Sequence, residues 1–280
     1  MILVTGATGN IGRPLLRELK QAGANVRVLV REGAAGVDGV ESVAGDLGKP
    51  ETLRQALDGI ETVFLLTPVS REQVVWKSNL IRAARAAGVK RIVNLSVAGA
   101  APDSPLILGR WHWESEKELE ASGIGWTHLR PYDLARYNTQ LFLSTARDED
   151  AFYSTVGNGK VAMVDEGDVA AVAYHTLLDE QHAFKAYLLS GPEALSYADM
   201  AKIIGKALDR NVSYVDVTEA QAKAAMLGMG LPEWVADFIN DLRRLEREGG
   251  ASWVSPEVER VTGRPATRYA DSLRAILSST

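Results

Sequence analysis

The chain has 280 residues, 46% hydrophobic and 24% charged, enough to bury a sizeable core as one large domain or as a domain with an appended lobe. A formal net charge of −5 without any basic cluster gives no support to nucleic-acid binding, and the absence of cysteine excludes disulfides, thiolate catalysis and cysteine metal sites. No apolar run approaches membrane-spanning length and the chain opens on a core strand, so no signal peptide and no membrane contact are expected, and a cytoplasmic protein is.

The first dozen residues carry the strongest signal. Ile2-Leu3-Val4-Thr5 reads as a fully buried strand, and it breaks into Gly6-Ala7-Thr8-Gly9-Asn10-Ile11-Gly12. A helix follows over Arg13 to Ala22, with Pro14 near its start and Leu15, Leu16 and Leu19 on one face. Strand, glycine turn and helix together deliver a pyrophosphate to free N–H groups at the positive end of a helix dipole. The spacing is Gly-x-x-Gly-x-x-Gly, so the common dinucleotide fingerprint is not met literally. A purely structural turn would use the same residues.

Asn25 to Val30 is the second strand, and Arg31 follows it directly. An acidic residue about 20 positions beyond the glycines would hold an NAD ribose. A guanidinium cannot accept from that hydroxyl, but it can grip a 2′-phosphate with two charge-assisted hydrogen bonds. NADP(H) is therefore preferred over NAD(H), although Arg31 could also be a surface residue paired with Glu32. Val40 to Ala44 is the third strand, ending in Gly45-Asp46-Leu47; Glu51 to Leu57 is a helix opened by Pro50. Thr62 to Leu66 is the fourth strand, stopped by Thr67-Pro68, and Arg71 to Ala87 a long helix. Arg91 to Ser96, the helix Arg110 to Ser122, and Gly125 to Leu129 complete the alternation, which stops at Arg130-Pro131.

Such alternation predicts an α/β fold with a doubly wound parallel sheet. After Pro131 the rhythm changes. Helices are predicted over 132–146, 167–178, 197–208, 219–227, 232–247 and 266–276, with strands over 186–189 and 212–217. We read a nucleotide-binding domain over 1–150 and a smaller, mainly helical lobe over 151–280, some of whose segments return to the first sheet. Ligands in open sheets sit at the carboxyl ends of the strands. Those ends hold Gly6–Gly12, Arg31, Asp46-Leu47, Thr67-Pro68, Ser96 and Pro131-Tyr132.

With these elements placed, VTGATGNIG, VRVLVRE, Gly45-Asp46-Leu47, SGIGWTHLRP, EGDVA and LSGPEALSYADMA resemble the NmrA-like group of atypical short-chain dehydrogenases/reductases. The resemblance spans nearly the whole chain. It implies a Rossmann domain with a smaller substrate lobe. It further implies that Gly6, Thr8, Gly9, Asn10, Ile11 and Gly12 cradle the pyrophosphate, that Arg31 holds the 2′-phosphate, and that Asp46-Leu47 flank the adenine. Thr67-Pro68, Ser96 and Pro131-Tyr132 would run toward the nicotinamide. Asp46 could equally be a turn-stabilising aspartate.

Ordinary short-chain reductases use Tyr-x-x-x-Lys on a helix after the fifth strand, the lysine lowering the tyrosine pKa. Here the equivalent positions are His112 and Glu116, within Trp111-His112-Trp113-Glu114-Ser115-Glu116-Lys117. Glu116 would raise the proton affinity of His112. His112 could donate a proton with Glu116 orienting it, bind cofactor or substrate, or form a structural i,i+4 pair; Ser96 could polarise a substrate or merely end a strand.

Trp76, Trp111, Trp113, Tyr132, Tyr137, Phe152, Tyr153 and Trp234 are candidates to line a cleft for a flat aromatic ring, and each could instead be core. The acidic run 148–150 reads as a solvated turn. The four histidines, at 112, 128, 175 and 182, lack ligand-like spacing with acidic partners, so no metal is expected, and His128 reads as a strand residue. The leading expectation is an NADP(H)-dependent oxidoreductase of an aromatic or quinone-type small molecule, with a homodimer left open. A non-enzymatic redox sensor bound to a partner protein, and an oxygenating tailoring enzyme of an aromatic polyketide pathway, are the alternatives.

Overall fold

The computed structural model describes residues 1–278. In chain order the elements are β1 (Ile2–Val4), α1 (Gly12–Gln21), β2 (Val26–Val30), β3 (Glu41–Ala44), α2 (Leu53–Ala56), β4 (Thr62–Leu65), α3 (Gln73–Ala86) and β5 (Arg91–Leu95). There follow α4 (Ile107–Ala121), β6 (Gly125–Pro131), α5 (Ala135–Glu149), β7 (Ala151–Ser154), β8 (Lys160–Val161), α6 (Glu166–Leu178) and β9 (Lys185–Leu189). The chain closes with β10 (Leu195–Ser196), α7 (Tyr197–Leu208), β11 (Ser213–Asp216), α8 (Glu219–Gly228), α9 (Glu233–Arg247), α10 (Glu257–Thr262) and α11 (Tyr269–Leu277).

Seven strands form one sheet in the order β3-β2-β1-β4-β5-β6-β9. Neighbours from β3 to β6 are parallel, with Ile2 opposite both Val26 and Thr62. The order reverses direction at β1 and β4, which makes this a doubly wound Rossmann sheet and places a ligand crevice at the carboxyl ends of those two strands. Strands buried on both faces must be apolar throughout, which is why Ile2-Leu3-Val4 and Val63-Phe64-Leu65 carry no alternation.

The chain divides into two compact units. The first comprises Met1–Ser104, Leu108–Pro131 and Gly167–Leu188; the second comprises Pro105–Ile107, Tyr132–Glu166 and Leu189–Thr280. The core of the first lies among Leu3, Leu53, Leu57, Val63, Leu80, Ile81 and Ile92. That of the second is built on Phe142, Phe152, Tyr197, Met200 and Leu273, with Phe142 stacked on Phe152 at 4.4 Å between ring centroids.

The N-terminal run of the first unit therefore breaks off at Pro131, not at residue 150, and the chain returns to that unit over Gly167–Leu188. Helix α5 shares the second core through Phe142, Leu143 and Ala146, and these apolar positions decide its allegiance. Four elements escaped the sequence reading: β7, β8 and β10 are four residues or fewer, and α10 has six. Elements this short carry too little periodicity to announce themselves. The acidic run is a helix end: Asp148 and Glu149 close α5, and Asp150 is its left-handed C-cap at φ +54°, paired with Arg210 at 2.5 Å. Among the described residues no helix is long and apolar enough to cross a membrane.

Candidate active site

The glycine turn is built from β1 outward. Thr5 Oγ1 donates to Leu66 O at 2.7 Å, and Leu66 N donates back to the same hydroxyl at 2.8 Å, fastening the ends of β1 and β4 together. Gly6 then turns at φ +65°, where a Cβ would lie 2.5 Å from Leu66 Cδ2. A Cβ on Gly12 would meet Gly6 O at 2.2 Å, so this glycine is required by backbone packing. Gly9 differs: its Cβ would meet only Gly6 O, at 3.4 Å, and Thr8, Gly9 and Asn10 are all exposed. Helix α1 opens with no side-chain cap and no acidic residue in its first turn. An uncapped N-terminus under an open glycine loop fits an anionic pyrophosphate.

Arg31 is exposed and its side chain has no ion-pair partner among the described residues, Glu32 included. Sequence reasoning overlooked three further cations beside the glycine turn. Arg13, Arg17 and Lys20, at i, i+4 and i+7 on α1, line a cavity of about 530 Å³ with Ala7, Thr8 and Val37. Asp46 Oδ1 accepts from Gly48 N at 2.8 Å, so this carboxylate stabilises its own turn. Leu47 is half-buried and its carbonyl accepts from Asn79 at 2.8 Å. Trp76, expected at the substrate, lies against this same loop: a Cβ on Gly48 would be 3.4 Å from its Nε1.

Two buried hydroxyls just past the strand ends, Thr67 Oγ1 and Ser96 Oγ, have no hydrogen-bond partner among the described residues. Unpaired polar atoms are costly inside a protein, and these two hydroxyls are left with hydrogen-bonding capacity to spare. Pro68 follows Thr67 and is exposed. Pro131 ends β6. Tyr132 packs instead with the core of the second unit and its hydroxyl reaches Gly250 O at 3.5 Å.

At the end of β5 the structure corrects the reading of His112 and Glu116. Glu116, fully buried, takes a fork from Arg130: Nε donates to Oε1 at 2.9 Å and Nη2 to Oε2 at 2.5 Å. Burial pushes its carboxyl up, but the Arg130 hydrogen bonds, with His128 and Ser96 close by, outweigh this and hold it below the usual range. Ser96 lies near enough to favour the carboxylate while falling short of hydrogen-bond geometry.

His112 is met by a lysine. Lys77 on α3, with no solvent exposure, donates to Asn94 Oδ1 and to Leu95 O, both at 2.7 Å, and its Nζ lies 3.3 Å from His112 Nδ1. Proton affinity at His112 is accordingly not raised by Glu116 but pushed well down, by burial first and then by Lys77 and His128. Burial also brings Lys77 down to about 7, against the pull of Glu116. Lys77 was missed although a signal existed: it shares a helix face with Leu80, Ile81 and Ala84, all buried. A lysine on an apolar stripe at that spacing must be buried and therefore partnered.

His128 is fully buried, stacks on Trp126 at 4.5 Å, and has its Nδ1 3.3 Å from Asn94 Nδ2. Tertiary packing also gathers Glu116, Glu120 and His128, whose ligand atoms lie within 4.8 Å of one another, a cluster that sequence spacing concealed. Arg130 already engages both oxygens of Glu116, and Lys117 holds Glu120 at 2.5 Å, so each acid is paired with a cationic side chain. Of the other aromatic candidates, Trp111 and Trp113 are half-buried in the first unit. Tyr137 is exposed, and Trp234 half-buried, in the second. Phe152 is core, and Tyr153 is exposed with its hydroxyl donating to Glu149 at 2.7 Å.

Residues 1–266 match the NmrA-like family. The chain is 41% identical over 279 residues to an NAD(P)H azoreductase of Xenophilus azovorans, covering 98% of this chain and 97% of that protein. It is 32% identical to quinone oxidoreductase 2 of Escherichia coli, covering 98% and 97%. Among solved structures, an NADPH-dependent quinone oxidoreductase from E. coli complexed with NADPH superposes with a TM-score of 0.88 at 30% identity, covering 99% of this chain and 100% of that one. With a family match over residues 1–266 and near-complete coverage by oxidoreductases at 41% and 32% identity, the chain is an oxidoreductase of the NmrA-like family.

Proposed function

We propose that the protein is an NADP(H)-dependent oxidoreductase that reduces a flat, conjugated two-electron acceptor of the quinone or azo class. The observation that carries this reading is the 41% identity, over 98% of the chain, to an NAD(P)H azoreductase. Azo bonds and quinones are both planar, electron-poor acceptors, and the similarity to a quinone oxidoreductase over 98% of the chain points to the same chemistry.

When bound, the dinucleotide supplies the hydride. The residues supply binding and orientation. The Gly6–Gly12 turn and the α1 N-terminus hold the pyrophosphate, and Arg31 holds the 2′-phosphate, with Arg13, Arg17 and Lys20 adding positive charge. Leu47 flanks the adenine, and Thr67 and Ser96 offer their unpaired hydroxyls further along the crest.

Titration with NADPH, NADP+, NADH and NAD+, followed by tryptophan fluorescence, tests the cofactor. Arg31→Ala is expected to weaken NADPH about ten- to hundredfold and leave NADH unchanged, as loss of a charge-assisted phosphate contact requires. Anaerobic oxidation of NADPH by 1,4-benzoquinone tests the reaction. Absence of binding by all four nucleotides sinks the reading, and turnover that consumes oxygen points to the oxygenating alternative.

A further inference from the structure

The pair at the end of β5 has a feature that hydride transfer alone does not require. An ammonium carries three protons. Those of Lys77 have three acceptors within reach: Asn94 Oδ1, Leu95 O and His112 Nδ1. His112 therefore accepts at Nδ1 and carries its own proton on Nε2, which has no partner among the described residues. Asn94 fits the same scheme, since an Oδ1 turned to Lys77 leaves Nδ2 to donate to His128 Nδ1.

We propose that Lys77 and His112 form a proton relay in which His112 Nε2–H protonates the reduced acceptor while Lys77 refills the imidazole through Nδ1. This rests on the oxidoreductase reading above. A quinone that has taken up hydride bears an anionic oxygen. The Nε2–H bond breaks and an O–H bond forms on that oxygen. In the same movement a Lys77 N–H bond breaks and an Nδ1–H bond forms, leaving a neutral amine beside a neutral imidazole. After product leaves, Nε2 takes a proton from water and Nδ1 returns one to the amine. At no point does an isolated imidazolate or a doubly charged Lys77–His112 pair exist in the buried site, the states that desolvation penalises most.

The surrounding charges suit the cycle. Glu116 and Arg130 are tied to each other in a fork, so neither competes for the proton. His128, held at about 4 by burial with Arg130 and Lys77 adding to the effect, stays neutral. Lys77, brought to about 7, is loaded below neutrality and empty well above it. Lys77 acts through His112 and is a positioning residue; His112 is the group assigned to the reacting atom.

The test uses the full chain labelled with 15N-histidine, free of nucleotide and then in single turnover with NADPH and 1,4-benzoquinone. The free protein is expected to show His112 as the Nε2–H tautomer at pH 6, with its Nδ1 resonance shifting through about pH 7 as Lys77 loses its proton. An Nδ1–H tautomer, an imidazolium at pH 6, or an Nδ1 that ignores pH overturns the relay. In single turnover, Lys77→Met is expected to be about a hundredfold slower than the parent at pH 6 and equal to it at pH 9, where the parent lysine is also uncharged. A merely structural lysine gives one constant ratio at both pH values, which also overturns the proposal. His112→Gln is expected to be slow at both. Failure of the oxidoreductase reading shows separately: no NADPH oxidation by the parent, whatever the imidazole spectrum.

Discussion

Two glycines three positions apart illustrate how differently one residue type can matter. A methyl at Gly12 collides with backbone oxygen at 2.2 Å, and backbone cannot move aside cheaply. Gly12→Ala is expected to lose about 2–3 kcal/mol of stability, measured by urea denaturation. Gly9→Ala meets only an ordinary contact at 3.4 Å, so its stability is expected to stay within about 0.5 kcal/mol of the parent. Its NADPH affinity is expected to fall about tenfold or more, because the methyl occupies the face the pyrophosphate approaches. Gly6 and Gly9 begin the same triplet, and sequence alone ranked all three glycines equally; only the distances separate the packing residue from the binding one.

Helix α5 shows how an element's start is set from outside itself. The sequence pattern runs helical from Tyr132, yet the helix begins at Ala135, because Tyr132 N is taken by Leu189 O at 2.8 Å and Asp133 by Arg243 at 2.7 Å. Its N-cap, Leu134, has no side-chain acceptor to offer. Glu166, the first residue of α6, supplies one, accepting from Arg136 N at 3.0 Å and Tyr137 N at 3.3 Å. The EGDVA segment thus opens on a capping residue whose duty no local pattern could reveal. Glu166→Ala is expected to cost about 1–2 kcal/mol in chemical denaturation, the loss associated with a helix cap, and Glu166→Gln to recover part of it. Burial raises this carboxyl to about 7, so the glutamine variant is expected to perform best relative to the parent above that pH.

The whole molecule distributes its titrating groups unevenly. All four histidines and Lys77 belong to the first unit. His112, His128 and His182 are all pushed down, chiefly by burial, so the unfolded chain binds more protons than the folded one as pH climbs toward 6.5. The stability of that unit therefore rises with pH, and Lys77, at about 7 against 10.5 unfolded, extends the rise. The second unit carries Glu166 at about 7 and Glu246 at about 8, both raised first by burial. Its folded state holds protons that the unfolded chain has released above 4.5, so its stability falls as pH rises toward 8. Amide hydrogen exchange at pH 5.5 and pH 8, corrected for intrinsic rates, is expected to show protection gained in residues 1–104 and lost in residues 189–278. Changes of the same sign in both would contradict this assignment.

Sequence by itself determined what depends on neighbours along the chain. The apolar β1 run, the glycine turn, the leucine face of α1 and the alternation through β6 fix a Rossmann sheet, because local periodicity and backbone freedom act over a few residues. Helix α7 is legible to the residue, since Ser196 and Asp199 form a capping box before an apolar stripe. What tertiary structure alone decided involves partners far apart in sequence. Lys77 meets His112 across 35 positions and Arg130 reaches Glu116 across 14. Glu116 was assigned to His112 because they sit one turn apart, yet a buried carboxylate follows the strongest donor, the Arg130 fork. The cation that seemed missing from the fourth position after His112 arrives from another helix, because a buried histidine takes its proton affinity from whatever packs against it in space.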